Sequence, residues 1–408
     1  MVYEEAMTLV RTVFLGSSLA LACATSVVVG CGSDDANGPK DPPADSGTPP
    51  DASPPAMVYP DDDLAALLEP IRTKYDLPAL GAAVFDSNGA LALGVTGVRK
   101  IGSDVLATKS DRFHLGSDTK AMTATLIARA VEKNELEWTT TLAETYSGET
   151  VHAGYQPVTI EQLLAHRGGA PANVQPAIWS KMWETKTESQ NTRRTAVVEM
   201  LKLGPTSEVG TYTYANAGYM MAGAALEHAG ASWEDRLRAE VFTPLGMTEC
   251  GFGPAETEGE IDQPLGHREQ SGKLVPETGW SDNPRSLGPA GTANCSLLSW
   301  GNFLRAHLRG ALGDTTYLSE GSWTKMHTAE QAKNPQDEQY ALGWAIGTQP
   351  WTKGPAFAHE GSNTLNLASA WVAPGVDRVL VVVTNAANAK ANDAVQEVNL
   401  ELLRAYVK

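Results

Sequence analysis

A serine at position 117 stands three residues ahead of a lysine, in the stretch Leu115-Gly116-Ser117-Asp118-Thr119-Lys120. A serine hydroxyl is a poor nucleophile until a nearby base takes its proton. Residues three apart share one face of a helix, so Lys120 would hang beside Ser117 if a helix starts here. A lysine serves as that base only when burial or positive neighbours depress its pKa well below about 10.4. A buried helix N-terminus would supply the setting and aim the Ser117 backbone N–H at a developing oxyanion. Taken alone, the pattern fits an N-cap serine and a surface lysine equally well. A second copy, Ser322-Trp323-Thr324-Lys325, is soon followed by the polar run TAEQAKNPQDE, whereas Leu126, Ile127 and Val131 follow the first. Burial therefore selects Ser117 and Lys120.

Two more elements could join them. Tyr214-Ala215-Asn216 is the only Y-x-N in the chain. In extended or loop backbone its two side chains can face one cleft, where the phenol could relay a proton and the carboxamide hold a carbonyl. An isolated Y-x-N is more often a buried tyrosine beside a turn asparagine. His359-Glu360-Gly361, followed by Ser362, is an H-x-G pattern that also occurs elsewhere, as at His152 and His166. Only His359 lies among apparent C-terminal strands, where an edge could pass a cleft and Gly361 would permit close backbone approach. His152 and His166 read as loop or helix-end histidines.

The elements that must position these groups are legible in outline. Asp61 to Tyr75 carries Leu64, Leu67, Leu68 and Ile71 on one helical face. Two apolar runs joined through Asn88-Gly89 then predict a β-hairpin. From about 118 to 310 the chain reads as mostly helical: Ala121 to Val131 has helical spacing, Thr159 with Gln162 forms a capping box, and Ala217 to Ala229 stops at Gly230. Strand-like runs return at 340–346, 365–373 and 378–384, and 393–407 closes as an amphipathic helix with Asp393 as its expected cap. The expected class is α+β: an antiparallel sheet completed by both termini and flanked by helices, with an inserted helical lobe at about 120–310.

The first residues are different material. Thr12 to Gly30 carries no charge, Arg11 flanks it, and Val28-Val29-Gly30 leads into Cys31. That reads as a secretory signal over residues 1–31. Its ending is similar to a bacterial lipoprotein box, which would make Cys31 the lipidated residue; an uncleaved anchor helix is the alternative. Glu4 and Glu5 are unusual in a signal, and Met7 could be the start. Residues 32–57 follow, and Gly32 to Ala56 holds seven prolines. Such a segment cannot bury a core and would form a tether of roughly 80 Å at about 3.1 Å per residue. The folded domain would then occupy 58–408, exported and anchored to a bacterial membrane by lipid alone, on the periplasmic or cell-surface side.

A formal charge of −17, without any basic block, argues against nucleic acid. A small-molecule ester, amide or peptide fits better. Cys250 and Cys295 could pair in an oxidising compartment, although sequence cannot place them within bonding distance. With no C-x-x-C and no H-E-x-x-H, neither a metal nor another cofactor is expected. Oligomeric state stays open.

The order Ser-Lys, Tyr-Asn, His-Gly is what gives these weak patterns joint weight. In it the chain resembles the serine β-lactamase and penicillin-binding-protein superfamily, on the class C-like branch with its esterases, D-aminopeptidases and DD-carboxypeptidases. The resemblance runs from Asp61 to Lys408 and includes VTIEQLLAHRGG (158–169), PLGMTECGFG (244–253), GPAGTANCSLLSWGNFL (288–304) and LGW (342–344). It implies a β-lactamase/transpeptidase-like fold with the site between sheet and lobe. Ser117 would be acylated and Lys120 its base, Tyr214 would share proton transfers, and Asn216 would orient substrate. His359, Gly361 and Ser362 would form the third box, with the backbone N–H groups of Ser117 and Ser362 as oxyanion hole. Typical β-lactamases place a lysine where His359 stands. A mostly neutral histidine favours esters or amides without a free carboxylate over β-lactams and DD-carboxypeptidase substrates. A non-catalytic, lipid-anchored binding protein of the same fold is the rival from another class; an α/β-hydrolase is set aside because G-x-S-x-G is absent.

Overall fold

The computed structural model describes residues 58–183, 189–280, 282–333 and 338–407. The signal-type segment, Cys31 and the tether lie outside them.

Strands from both ends of the sequence build one antiparallel sheet. The N-terminal part supplies β1 (Ala79–Phe85) and β2 (Ala90–Gly97); the C-terminal part supplies β8 (Ala345–Thr348), β9 (Pro355–Ser362), β10 (Leu367–Ala373) and β11 (Arg378–Thr384). Their order across the sheet is β2-β1-β11-β10-β9-β8. The β1–β2 hairpin turns where expected, and Asp86 Oδ1 fixes the turn by accepting the N–H groups of Asn88 (2.7 Å) and Gly89 (2.9 Å). Every residue of β1 and β10 is buried, which requires cover on both faces. Helix α6 (Leu297–Ala311) packs against β1, β10 and β11, while α1 (Ala65–Lys74) and the C-terminal helix α7 (Ala389–Tyr406) pack together and against the same sheet. Because α6 is seated on the sheet, the helical lobe gives way to the sheet layer before Leu297 rather than near 310.

Between β2 and α6 come β3 (Phe113–His114), α2 (Thr119–Glu132), α3 (Ile160–Leu164), α4 (Ser189–Leu203), α5 (Asn216–Ala225), β4 (Cys250–Phe252), the hairpin β5 (His267–Gln270) and β6 (Lys273–Pro276), and β7 (Ala293–Cys295). The Thr159–Gln162 capping box starts α3 as the sequence indicates. Helix α5 runs on through a 3-10 turn, Leu226–Ala229, to a left-handed Gly230.

Two local expectations shift. The last helix starts at Ala389, because the Asn388 side chain accepts the N–H of Ala391 at 2.9 Å; Asp393 lies one turn inside on the exposed side. Residues 340–344 do not form a strand. Ala341 N–H donates to Trp344 O at 2.8 Å and closes a turn, which sends Tyr340 and Trp344 inward, both buried.

Cys250 and Cys295 stand directly opposite each other in the β4–β7 pair and are joined as a disulfide. The other edge of β7 pairs with β3 through Phe113–Cys295 and His114–Asn294. This small ribbon therefore braces the strand that leads into Ser117. The bridge closes a loop with a sequence separation of 45, so replacing both cysteines by serine should lower the unfolding free energy by about 2–4 kcal/mol. Urea unfolding of the double variant checks this; an unchanged midpoint would contradict it.

Candidate active site

From Phe113 to Ala128 every residue is buried except Ser117, which is half-exposed. The chain leaves β3, makes a 3-10 turn over Gly116–Asp118 and enters α2 at Thr119. Thr119 ties the turn: its Oγ1 donates to Gly116 O (2.7 Å) and accepts from Ala293 N–H (3.1 Å). Gly116 has φ +51°, and a Cβ there would stand 2.3 Å from Ser362 N, so both its conformation and its neighbour require glycine.

Lys120 is fully buried one turn on. Its Nζ lies 2.9 Å from Ser117 Oγ, 2.8 Å from Asn216 Oδ1 and 2.8 Å from Ala290 O. A neutral amine has two N–H donors and one lone pair. Asn216 and Ala290 take the two donors, and the hydroxyl of Ser117 can donate to the lone pair. Desolvation pushes the Lys120 pKa well below that of an ordinary lysine, against a smaller upward pull from Asp118. The amine also sits 4.8 Å from the Tyr214 ring centroid. The second Ser-x-x-Lys copy has a different fate: partial burial lowers the Lys325 pKa, but its bonds to Glu161 and Glu330 raise it on balance.

Burial raises the Tyr214 pKa strongly, against a smaller downward pull from Ser117 beside it, so it stands next to Ser117 as a phenol. Asn216 opens α5. Its Nδ2 donates to Asn173 Oδ1 at 3.2 Å, and this fixes the amide so that its oxygen faces Lys120. On β9, the Gly361 backbone packs against the serine turn: a Cβ there would stand 1.9 Å from Leu115 O and 2.7 Å from Ser117 N. Ser362 follows, exposed, with its Oγ accepting Thr364 N–H at 2.9 Å. Ser117, Lys120, Tyr214, Asn216, Gly361 and Ser362 thus converge.

His359 joins the cluster with both ring nitrogens occupied. Nδ1 is 2.8 Å from the Glu360 carbonyl, to which it donates, and Nε2 accepts from the Tyr340 hydroxyl at 2.9 Å. Burial is the main cause that brings its pKa down to about 3, helped by Lys120. It offers no positive charge at neutral pH.

Sequence reasoning passed over several groups here. His166 is buried at the end of α3; its Nδ1 accepts the N–H of Ala215 at 3.0 Å and its carbonyl accepts that of Thr213 at 2.8 Å. It therefore holds the Tyr214–Asn216 segment from below, with its ring 4.2 Å from the Tyr214 ring. The H-x-G at 166 was the available signal, and only the fold places it. Tyr340 and Tyr219 complete an aromatic wall around Lys120 and His359. Asp118 is buried with neither carboxyl oxygen hydrogen-bonded, and desolvation first, then Glu360, raises its pKa well above the usual carboxylate range. Among the described residues no group of three His, Cys, Asp or Glu side chains could hold a metal ion, and no helix is long and apolar enough to cross a membrane.

A family model described as Beta-lactamase matches residues 64–403. Penicillin-binding protein 4 of Amycolatopsis lactamdurans is 28% identical over 325 residues, which make up 77% of this chain and 82% of that protein. Among solved structures, the octameric penicillin-binding protein homologue from Pyrococcus abyssi aligns with a TM-score of 0.69 at 20% identity, covering 83% of this chain and 76% of the other. D-amino acid amidase from Ochrobactrum anthropi SV3, complexed with L-phenylalanine amide, gives 0.66 at 19% identity, over 84% and 96% of the two chains. These two structures are similar to this chain in fold.

Burial holds five histidines neutral: His359 and His327 at about 3, His267 at about 4, and His166 and His307 well below the ordinary value. In the unfolded chain each titrates near 6.5. As pH falls through that value the unfolded state takes up protons first, so stability is full above it and declines below it. The urea midpoint at pH 5.0 should lie clearly below that at pH 7.5, before most carboxylates titrate. Equal midpoints would contradict the neutral assignments.

Proposed function

The chain belongs to the beta-lactamase family, and from that premise we propose that it is a serine hydrolase that forms an acyl-enzyme on Ser117 with Lys120 as general base. One observation carries this reading: a desolvated amine 2.9 Å from the only half-exposed hydroxyl in its segment. Lys120 takes the Ser117 proton as Oγ attacks a carbonyl carbon. The new ammonium ion is held by Asn216 Oδ1 and Ala290 O. The oxyanion of the tetrahedral intermediate is met by the backbone N–H groups of Ser117 and Ser362, which lie close together across the Gly116–Gly361 contact. Tyr214, being a phenol, can give its proton to the leaving group and recover one from Lys120. Water then repeats the sequence on the acyl-enzyme.

The substrate class follows from charge. Among the described residues of this cluster, no cation stands where a substrate carboxylate would need one: Lys120 is held neutral and His359 is neutral with both nitrogens engaged. Esters and amides without a carboxylate beside the scissile bond fit this best, including short D-amino-acid peptides and amides of the kind that the similar D-amino acid amidase suggests. The β-lactamase and DD-carboxypeptidase alternatives require a carboxylate anchor that these side chains do not offer. Export and a lipid anchor at Cys31 remain part of the proposal on sequence grounds alone.

A fluorophosphonate probe should label Ser117 and fail to label Ser117→Ala. Lys120→Ala should slow acylation by about 10²–10⁴-fold with the fold intact by circular dichroism, and unimpaired labelling would remove Lys120 from the role of base. In a parallel screen, p-nitrophenyl esters and D-amino acid amides should be turned over at least tenfold more efficiently than nitrocefin. A preference for nitrocefin would reverse the substrate assignment.

A further inference from the structure

Resting on the Ser117 reading, we propose that Asp282 and His114 are positioning residues that set the distance between the two oxyanion donors, the N–H groups of Ser117 and Ser362. These donors come from separate parts of the fold, one behind β3 and one at the end of β9. Their segments touch through Gly116 and Gly361, yet among the described residues no backbone hydrogen bond joins 116–117 to 361–362. Van der Waals contact fixes how near they can come but adds no directional bond between the two segments, which a polar link can supply.

That link begins at the His114 ring. Its Nδ1 accepts the N–H of Gly116, the residue before the nucleophile, at 3.0 Å. An accepting Nδ1 carries no proton, so the neutral ring holds its proton on Nε2. Asp282 Oδ1 lies 2.8 Å from Nε2 but off the N–H axis, so the attraction is chiefly electrostatic and still selects this tautomer. The same oxygen accepts from Asn363 Nδ2 at 3.3 Å and from Asn283 N–H at 2.7 Å. Asn363 directly follows Ser362, and its own Oδ1 accepts the N–H groups of Leu365 (3.2 Å) and Asn366 (3.0 Å), which holds the amide in place.

One carboxylate thus reaches the neighbours of both donors: through the imidazole, Gly116, which precedes Ser117, and directly, Asn363, which follows Ser362. His114, Asp282 and Asn363 are all buried, so water does not compete for these contacts. None of the three is placed to touch the reacting atoms. Their effect is on geometry, where a misplacement of about 1 Å can cost about a hundredfold in rate.

The test uses the full chain and a p-nitrophenyl ester, after wild-type labelling at Ser117 by the fluorophosphonate probe. Asp282→Ala should lower kcat about ten- to a hundredfold with KM within about twofold, because the oxyanion forms only after binding. Asp282→Asn keeps an acceptor oxygen for Asn363 but loses the charge that faces His114, and should restore kcat in part. Asn363→Ala breaks the other arm and should lower kcat without moving KM, which decides the matter even if Asp282→Ala does not fold. Wild-type kcat in both alanine variants, a loss expressed mainly in KM, or an Asp282→Asn as impaired as Asp282→Ala would overturn the positioning role alone. Absence of label on the wild-type protein would overturn the Ser117 reading and this inference with it.

Discussion

An amine taken out of water is the constraint on which the rest of this structure depends. An isolated ammonium ion is costly to bury, so a lysine sealed in the protein sheds its proton unless a partner holds it. Lys120 is sealed by helix α2 below it, by tyrosine rings beside it, and by segments 96 and 170 residues away that supply its two acceptors. Neither acceptor is an ionised group. The arrangement stabilises a neutral amine with its lone pair left for one hydroxyl, and from Phe113 to Ala128 the fold leaves only that hydroxyl open to solvent.

The same economy runs through the neighbouring groups. His359 is satisfied at both nitrogens, Tyr214 keeps its proton, and Asp118 sits where a carboxylate would be unsolvated. A site made of neutral but polarisable groups lets charge appear only as a reaction proceeds, against dipoles that are already oriented. It also explains why a family likeness strong enough to fix the fold leaves the substrate open. In the proposed reading Ser117 and Lys120 would do the chemistry, while the position held by His359 would decide which anions can be welcomed.

Much of this was legible in the sequence, for reasons that particular residues make plain. The Asn88-Gly89 hairpin, the Thr159–Gln162 cap and the run from Ala121 carry local signals that no tertiary context overrides. Ser117 and Lys120 could be preferred over Ser322 and Lys325 because apolar residues follow one pair and polar residues the other. What stayed hidden depends on contacts across long separations. His166 holds the Tyr214 loop through a backbone N–H 49 residues away, and no spacing rule announces that. Residues 340–344 look like a strand by composition, yet a turn directs Tyr340 to His359. The last helix found a better cap in Asn388 than in Asp393, a choice between two polar residues that sequence alone does not settle.

The central claim concerns the protonation state of one side chain, and that state can be observed. With lysine labelled at Nζ and Cε, nuclear magnetic resonance of the wild-type protein, assigned by loss of the signal in Lys120→Met, should show Lys120 as a free amine at pH 7.5, while the surface lysines remain ammonium ions. A Lys120 signal in the ammonium range up to pH 10 would contradict the account: a charged amine could steady the serine turn but could not take its proton.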